Sequence, residues 1–224
     1  REENGQILTG MVLMADGRCA RDTADVLWGW DSAIPTQQAP GTDFPTALAA
    51  RPVLEADGEP LRVTEEGSAL HSSLGPYCFV RTDGTLACWG STGYNGSLGP
   101  LFPETPGCNQ CASYPVTVLT EGQVGAPLEN MVQVDGASGN SRTLAAVDED
   151  GHLWVWGESG LGNLLGEAVS EPFHHPQIVE GLPPLERIIV QSGNLCGVVA
   201  EDGSLVCTHI NASGSWDVIE TPEG

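Results

Sequence analysis

Leu144-Ala-Ala-Val-Asp-Glu-Asp150-Gly151-His-Leu-Trp-Val-Trp156-Gly157 is the stretch that decides the fold. Two runs rich in Val, Leu and Trp flank an Asp-Gly pair. A two-residue type I′ turn needs positive φ at both central positions, which Gly accepts freely and Asp tolerates. The stretch therefore predicts an antiparallel hairpin. Its second run, Leu153 to Trp156, is apolar at successive positions, whereas an antiparallel strand with one wet face would alternate. Both faces of this strand are expected to be buried.

The pattern recurs three times: Met11-Val-Leu-Met-Ala-Asp16-Gly17, Cys78-Phe-Val-Arg-Thr-Asp83-Gly84-Thr-Leu-Ala-Cys-Trp89-Gly90, and Cys196-Gly-Val-Val-Ala-Glu-Asp202-Gly203-Ser-Leu-Val-Cys207. In the first unit Arg18 to Asp25 reads as an insertion before Val26-Leu27-Trp28-Gly29. In the last, Thr208-His209 stands where Trp-Gly is expected. Between hairpins lie two further strand-like runs, such as Tyr114-Pro-Val-Thr-Val-Leu119 and Met131-Val-Gln-Val134. Four strands per repeat, buried on both faces, predict an all-β protein: a β-propeller of four-stranded antiparallel blades. The repeats fall at about 5–50, 51–113, 114–175 and 176–224 of one domain. A single β-sandwich would bury the strands but leave the near-regular repeat unexplained.

Composition narrows the function. The 224 residues include 30 acidic and 8 basic side chains, net −22, with no lysine. Eight scattered arginines cannot form the basic stripe that phosphate neutralisation needs, so nucleic acid and anionic membrane surfaces are excluded as partners. No apolar run approaches the ~20 residues of a membrane-spanning helix. The chain opens at Arg1 without a charged-then-apolar leader, which reads as a removed targeting segment or a piece of something longer. Asp148-Glu149-Asp150 and Glu201-Asp202 are the carboxylates that calcium would use, but no Asp-x-Asp-x-Asp-Gly loop is present, and turn formation already occupies Asp150 and Asp202. His174-His175 lies among prolines and reads as a loop pair. No Gly-x-Ser-x-Gly elbow, His-Glu-x-x-His or phosphate loop appears, so the chain is read as a non-enzyme without a cofactor. The Trp-Gly tryptophans read as blade core. Trp30, Trp154 and Trp216 lie off that position and are candidates for contact.

These residues resemble the repeats of the regulator of chromosome condensation. That unit reads apolar-x-x-Asp-Gly-x-apolar-x-x-Trp-Gly-x-Asn-x-x-Gly-Gln-Leu-Gly, followed by Pro-x-x-Val. The best stretches are Thr82 to Gly99 and Glu149 to Gly166. In both, Leu-Gly comes one residue late and the glutamine is replaced, by Ser97 and Leu164. The resemblance implies a propeller, usually of seven blades, against about four repeats here. It leaves three architectures open: a partial ring, a ring completed by a partner, or a smaller closed ring. It also implies secretion, since secreted bacterial relatives place a cysteine in each hairpin strand, as Cys78/Cys88 and Cys196/Cys207 do.

Seven cysteines in an acidic, turn-rich chain point to an oxidising compartment, hence an extracellular, periplasmic or cell-surface location, with one cysteine left over. A two-residue Asp83-Gly84 turn would set Cys88 opposite Phe79 and turn Cys78 to the other face. A Cys78–Cys88 bond would then need a bulge or a longer loop. Asp202-Gly203 would set Cys207 opposite Val198, with Cys196 diagonal on the same face. Cys108 and Cys111, bracketed by Pro106-Gly107 and Pro115, read as a loop staple. The zinc alternative lacks a second ligand pair.

The irregular connections 31–50, 100–113 and 158–176 carry apolar tips: Phe44, Leu101, Phe102, Leu161 and Phe173. Recognition usually lies on such loops. The reading is a propeller module that binds an unidentified protein. The alternatives are a structural subunit pairing through blade edges, by self-assembly or with a second chain that completes the ring, and a guanine-nucleotide-exchange regulator, the family's founding activity.

Overall fold

The computed structural model describes residues 9–13, 19–30, 50–64, 76–91, 111–121, 124–136, 143–157, 161, 164–165, 173–191, 193–210 and 216–219. These residues form strands and no α-helix. The first sheet holds β1 (Val12–Leu13), β2 (Cys19–Arg21), β3 (Leu27–Gly29) and β4 (Arg51–Pro52). The second holds β5 (Tyr77–Val80), β6 (Leu86–Ser91) and β7 (Cys111–Thr117), with a leading strand reduced to a bridge from Val63 to Arg81. A small hairpin of β8 (Leu119–Glu121) and β9 (Val124–Pro127) leads to the third sheet: β10 (Met131–Gly136), β11 (Thr143–Asp148), β12 (Leu153–Gly157) and β13 (Phe173–Ile178). The fourth holds β14 (Leu185–Gln191), β15 (Asn194–Val199), β16 (Leu205–His209) and β17 (Asp217–Ile219). Strands are ordered in each sheet as in the chain and pair antiparallel. The expected all-β fold of four-stranded units is present. Repeat borders at 113/114 and 175/176 fall inside β7 and β13, which close the sheets before them.

The hairpin turns are longer than two residues, and this corrects the expected register. The Arg81 amide donates to the Thr85 carbonyl (2.7 Å) and the Gly84 amide to Arg81 (2.9 Å), so the loop is Thr82-Asp83-Gly84. Gly84 closes it at φ +81°, the left-handed glycine of a three-residue hairpin. Asp148 and His152 bracket an equivalent loop ending at Gly151, φ +82°. In the fourth sheet Val199 pairs with Ser204, leaving a loop of Ala200 to Gly203. Each added loop residue shifts the facing partner by one. Cys78 consequently stands directly across from Cys88, and Cys196 from Cys207. Both pairs close as disulfides, with Cα atoms 4.2 and 4.1 Å apart.

In the first sheet the equivalent turn joins β2 to β3 at Asp22 to Asp25; Asp16-Gly17 lies outside the described residues, between β1 and β2, which pair antiparallel. The Asp22 amide donates to Val26 and the Asp25 amide to Asp22, both at 3.1 Å. Asp25 takes φ +64°, where the other loops have glycine. Aspartate is one of the few side chains that tolerate this region. The apparent insertion Arg18 to Asp25 thus contains β2 and the turn itself.

Consecutive sheets are clasped at these turns by one repeated pair of backbone bonds. The carbonyls of Asp25, Gly84 and Gly151, the last residue of each loop, accept amides of Val63 (2.9 Å), Met131 (2.8 Å) and Leu185 (2.9 Å) in the next unit. The residues just before these, Arg62, Asn130 and Pro184, accept amides of Thr82 (3.3 Å), Glu149 (2.8 Å) and Ala200 (2.9 Å) in the following turn. The approach is close: a Cβ on Gly151 would lie 2.7 Å from Pro184 Cβ and 2.8 Å from Leu185 N. Gly203, the last loop glycine, meets nothing within 4 Å.

Packing repeats as well. In the third sheet Ala145, Val147, Leu153 and Val155 form one core with Leu185, Ile188 and Val190 of the fourth. Val134, Leu144, Ala146 and Trp156 point the other way, into a core shared with the first two sheets. Side chains reinforce the contact between leading strands. Gln133 donates to the Ile188 carbonyl (2.9 Å) and accepts its amide (2.7 Å), while Asp135 accepts the Val190 amide (2.8 Å).

Candidate protein-binding surfaces

The sheets have two unlike ends. One carries the short turns and the clasps. At the other, the third strands finish at Gly29, Ser91 and Gly157 and the fourth begin at Arg51, Cys111 and Phe173. The long connections between them, 30–50, 92–110 and 158–172, all spring from this second end.

Of the apolar tips expected there, Phe44, Leu101 and Phe102 lie outside the described residues, as does Cys108 and hence the Cys108–Cys111 staple. Phe173 opens β13 with its backbone paired to Gly157, and its side chain is outside the description. Leu161 is corrected: it is fully buried, packed in the same core as Val179 and Ile210. Its carbonyl accepts the amides of Leu164 (2.9 Å) and Leu165 (3.1 Å), and all three leucines pack in or against that core. Leu161 is core, not an interface tip.

A surface that the sequence did not disclose lies on the fourth sheet. Register aligns the Cys196–Cys207 row with Cys78–Cys88 in the second sheet and Ala145–Val155 in the third. Those two rows are sealed, and all four residues are 0% exposed. The fourth-sheet row is open: Ile189 beside it is 55% exposed and Ile219 44%. A groove of about 450 Å³ follows it, lined by Ile189, Gln191, Asn194, His209 and Ile219 along the disulfide. The same row in the first sheet holds Cys19, with Gly29 across from it. Cys19 thus occupies the disulfide column, with glycine in the place of the second cysteine.

Aspartates at the turns are locked. Asp22 accepts the Trp28 indole N–H (2.9 Å) and the amides of Ala24 and Val26. Asp148 accepts the Trp154 indole N–H (3.0 Å) and the amides of Asp150 and His152. Burial pushes both carboxyls up, yet the indole and amide bonds outweigh it and hold each below its ordinary value of 3.8. Hydrogen bonding to the charged form has that effect. At Asp83 burial likewise acts upward and is overcome by the Thr85 amide and hydroxyl. At Asp202 the Ser204 hydroxyl and amide lower it. Trp28 and Trp154 are therefore equivalent, half-buried turn anchors, while Trp89 and Trp156 are buried. Trp216 packs partly buried against the second core. The sequence carried a signal for the pairing: Asp precedes Trp by six residues at Asp22/Trp28 and Asp148/Trp154.

With Asp148 committed in this way, the Asp148-Glu149-Asp150 cluster is a turn. Among the described residues no group of three or more His, Cys, Asp or Glu could hold a metal ion.

No family model matches the chain. The E3 ubiquitin-protein ligases HERC2 of Mus musculus and Homo sapiens are each 30% identical to it over 127 residues, which is 56% of this chain and 2% of theirs. Among solved structures, yeast RCC1 (Prp20) bound to Kap60 matches with TM-score 0.59 and 17% identity, over 92% of this chain and 47% of that one. Human WBSCR16 matches with TM-score 0.56 and 17% identity over 84% and 44%. Prp20p from Saccharomyces cerevisiae, characterised for its binding to Gsp1p and histones, matches with TM-score 0.54 and 13% identity over 84% and 42%. At these identities the structures establish the fold, a β-propeller of which the chain spans less than half. It spans a small fraction of the ligases.

Proposed function

Because this chain is built from repeats of the regulator-of-chromosome-condensation type, we propose that it is a secreted or cell-surface propeller module that binds another protein and performs no catalysis. The carrying observation is the placement of three connections: 30–50, 92–110 and 158–172 each join a third strand to a fourth at the end opposite the clasped turns, so they are anchored along one rim of a rigid scaffold. One relative in fold, yeast RCC1 (Prp20), is a protein binder, seen bound to Kap60 and characterised for its binding to Gsp1p and histones. The lysine-free surface at net −22 favours a basic partner, because complementary fields steer association. Two cross-strand disulfides support an oxidising compartment.

The test immobilises the chain and titrates core histones as a basic-protein probe, against a variant in which 31–49 and 92–110 are replaced by short Gly-Ser linkers. Saturable binding that weakens at least about tenfold in the variant, with the thermal midpoint unchanged, is expected for a rim of hot spots. Equal binding by both proteins, or complete competition by polyglutamate at matched charge, would sink the reading. For the location, alkylation without reduction should leave Cys78, Cys88, Cys196 and Cys207 unmodified in protein from its native source. Four modified cysteines would remove that part.

A further inference from the structure

The chain carries both halves of its own sheet-to-sheet contact, uncovered, at opposite ends of the row of sheets. Each internal contact sets the leading strand of one sheet against the outward face of the sheet before it. In that leading strand the central apolar residue is Val134 in β10, facing Ala146, and Ile188 in β14, facing Gly197. They are 0% and 5% exposed, because a preceding sheet covers them. Carried across the register, the same position in β1 is Leu13, which pairs with Ala20 as Val134 pairs with Ala146, and Ala20 pairs with Trp28 as Ala146 pairs with Trp154. Leu13 is 68% exposed. The acceptor face is just as bare at the other end, with Ile189 and Ile219 beside the half-exposed Cys196–Cys207 row and a turn glycine, Gly203, that meets nothing.

The acceptor differs from the internal ones in one respect. In the third sheet the positions flanking the central residue are Gln133 and Asp135, which bond to the backbone of the next leading strand. In the fourth sheet the register places Arg187 and Ile189 there, both exposed. Ile189 thus offers an apolar contact where Asp135 offers a hydrogen bond.

We propose that a second copy of this chain occupies the face: Leu13 of one copy docks on the Ile189–Ile219 face of the next, head to tail. The contact continues an interface the chain already makes internally. It joins different surfaces on the two copies, so it is heterologous and yields a ring if the rotation closes and a longer row if it does not. Two bodies at net −22 repel at long range, so the association strengthens as salt screens that repulsion. This contact lies on the sheet faces, apart from the loop rim.

Sedimentation of the purified chain over a hundredfold concentration range, at low and high salt, measures the association. Species larger than the monomer are expected, more of them at high salt. Leu13→Glu and Ile189→Glu each alter an exposed side chain and should keep the thermal midpoint, while each alone weakens self-association at least about tenfold, the loss expected for a desolvated anchor. Mixed, the two variants should form one-to-one pairs that grow no further, since one intact half remains on each. A wild-type chain that stays monomeric at several hundred micromolar in high salt overturns the proposal. So does self-association that survives either substitution, or a mixture that does not pair.

Discussion

The second and fourth sheets carry the same cross-strand disulfide in the same row, and only one of them is covered. Cys78–Cys88 lies under the third sheet at 0% exposure, while on the opposite face of the same strands Tyr77 and Phe79 stack on Trp89, with ring centroids 5.6 and 5.4 Å from it. Cys196–Cys207 lines an open groove. The strands themselves do not decide this. Val198, Leu205 and Ile219 are as apolar as the residues that seal the second sheet. Burial in this fold is a property of the neighbour, and the neighbour is held by the clasp at the turn.

The clasp gives the largest expected difference between covered and open sheets. Gly151→Ala puts a Cβ into the left-handed region and into Pro184 and Leu185 together. Overpacking adds to the conformational strain, for a loss of about 3 kcal/mol in a urea titration. Gly203→Ala meets the same backbone constraint at φ +72° with open space around it, and should cost only about 1 kcal/mol. Equal losses at the two positions would mean that φ alone selects glycine and that close approach does not.

The disulfides come next. Their loops have separations of 10 and 11 residues, so loop-closure entropy alone predicts about 2–3 kcal/mol for either pair changed to alanine. The covered pair should lose more, because removing two fully buried sulfurs also leaves a cavity. Kinetically the order is sharper. Thiol exchange needs access to sulfur, so mild reductant should open Cys196–Cys207 at least about tenfold faster than Cys78–Cys88, whose exchange waits for local unfolding. Differential alkylation read by mass spectrometry gives both rates, and a reversed order would contradict the difference in cover.

Sequence disclosed the sheets and misplaced their details for physical reasons. Asp83-Gly84, Asp150-Gly151 and Asp202-Gly203 mark hairpins because a left-handed residue is needed there, but the pair is common to loops of two, three and four residues. Loop length, and with it every facing partner, comes from bonds such as Gly84 to Arg81 and Gly203 to Val199. The first turn escaped because Asp25 does the work of glycine. Asp57-Gly58 adds the converse case: its turn, closed by Glu55 and Glu59, lies between sheets rather than within one. Leu161 looked like a loop tip because it is an apolar residue in the irregular connection 158–176, whereas its burial depends on Val179 and Ile210 far along the chain. The open face of the fourth sheet could not be read at all, since its residues match those of covered sheets.

Turn aspartates give the smallest contrast and test the idea at single side chains. Asp148 is held by an indole and two amides against the third sheet, while Asp202 sits on the open turn with only Ser204. The carboxyl of Asp148 has a folded value below 3.8, so the unfolded chain binds its proton first as pH falls. Its contribution is complete above the ordinary carboxylate range and is lost as pH drops through the lowered folded value. Asp148→Asn keeps one oxygen acceptor and loses the charge, which should cost about 1.5 kcal/mol near neutral pH. The gap between variant and wild type should begin to narrow below about pH 4, as the unfolded chain takes up the proton, and close as pH falls through the lowered folded value. Trp154 reports the change directly through its fluorescence, because its indole loses a charged acceptor. Asp202→Asn should leave the unfolding midpoint unmoved at every pH, because that carboxyl is fully exposed and water replaces what Ser204 supplies. A pH-independent gap for Asp148→Asn would show that geometry rather than charge holds the turn, and the two aspartates would then differ only in packing.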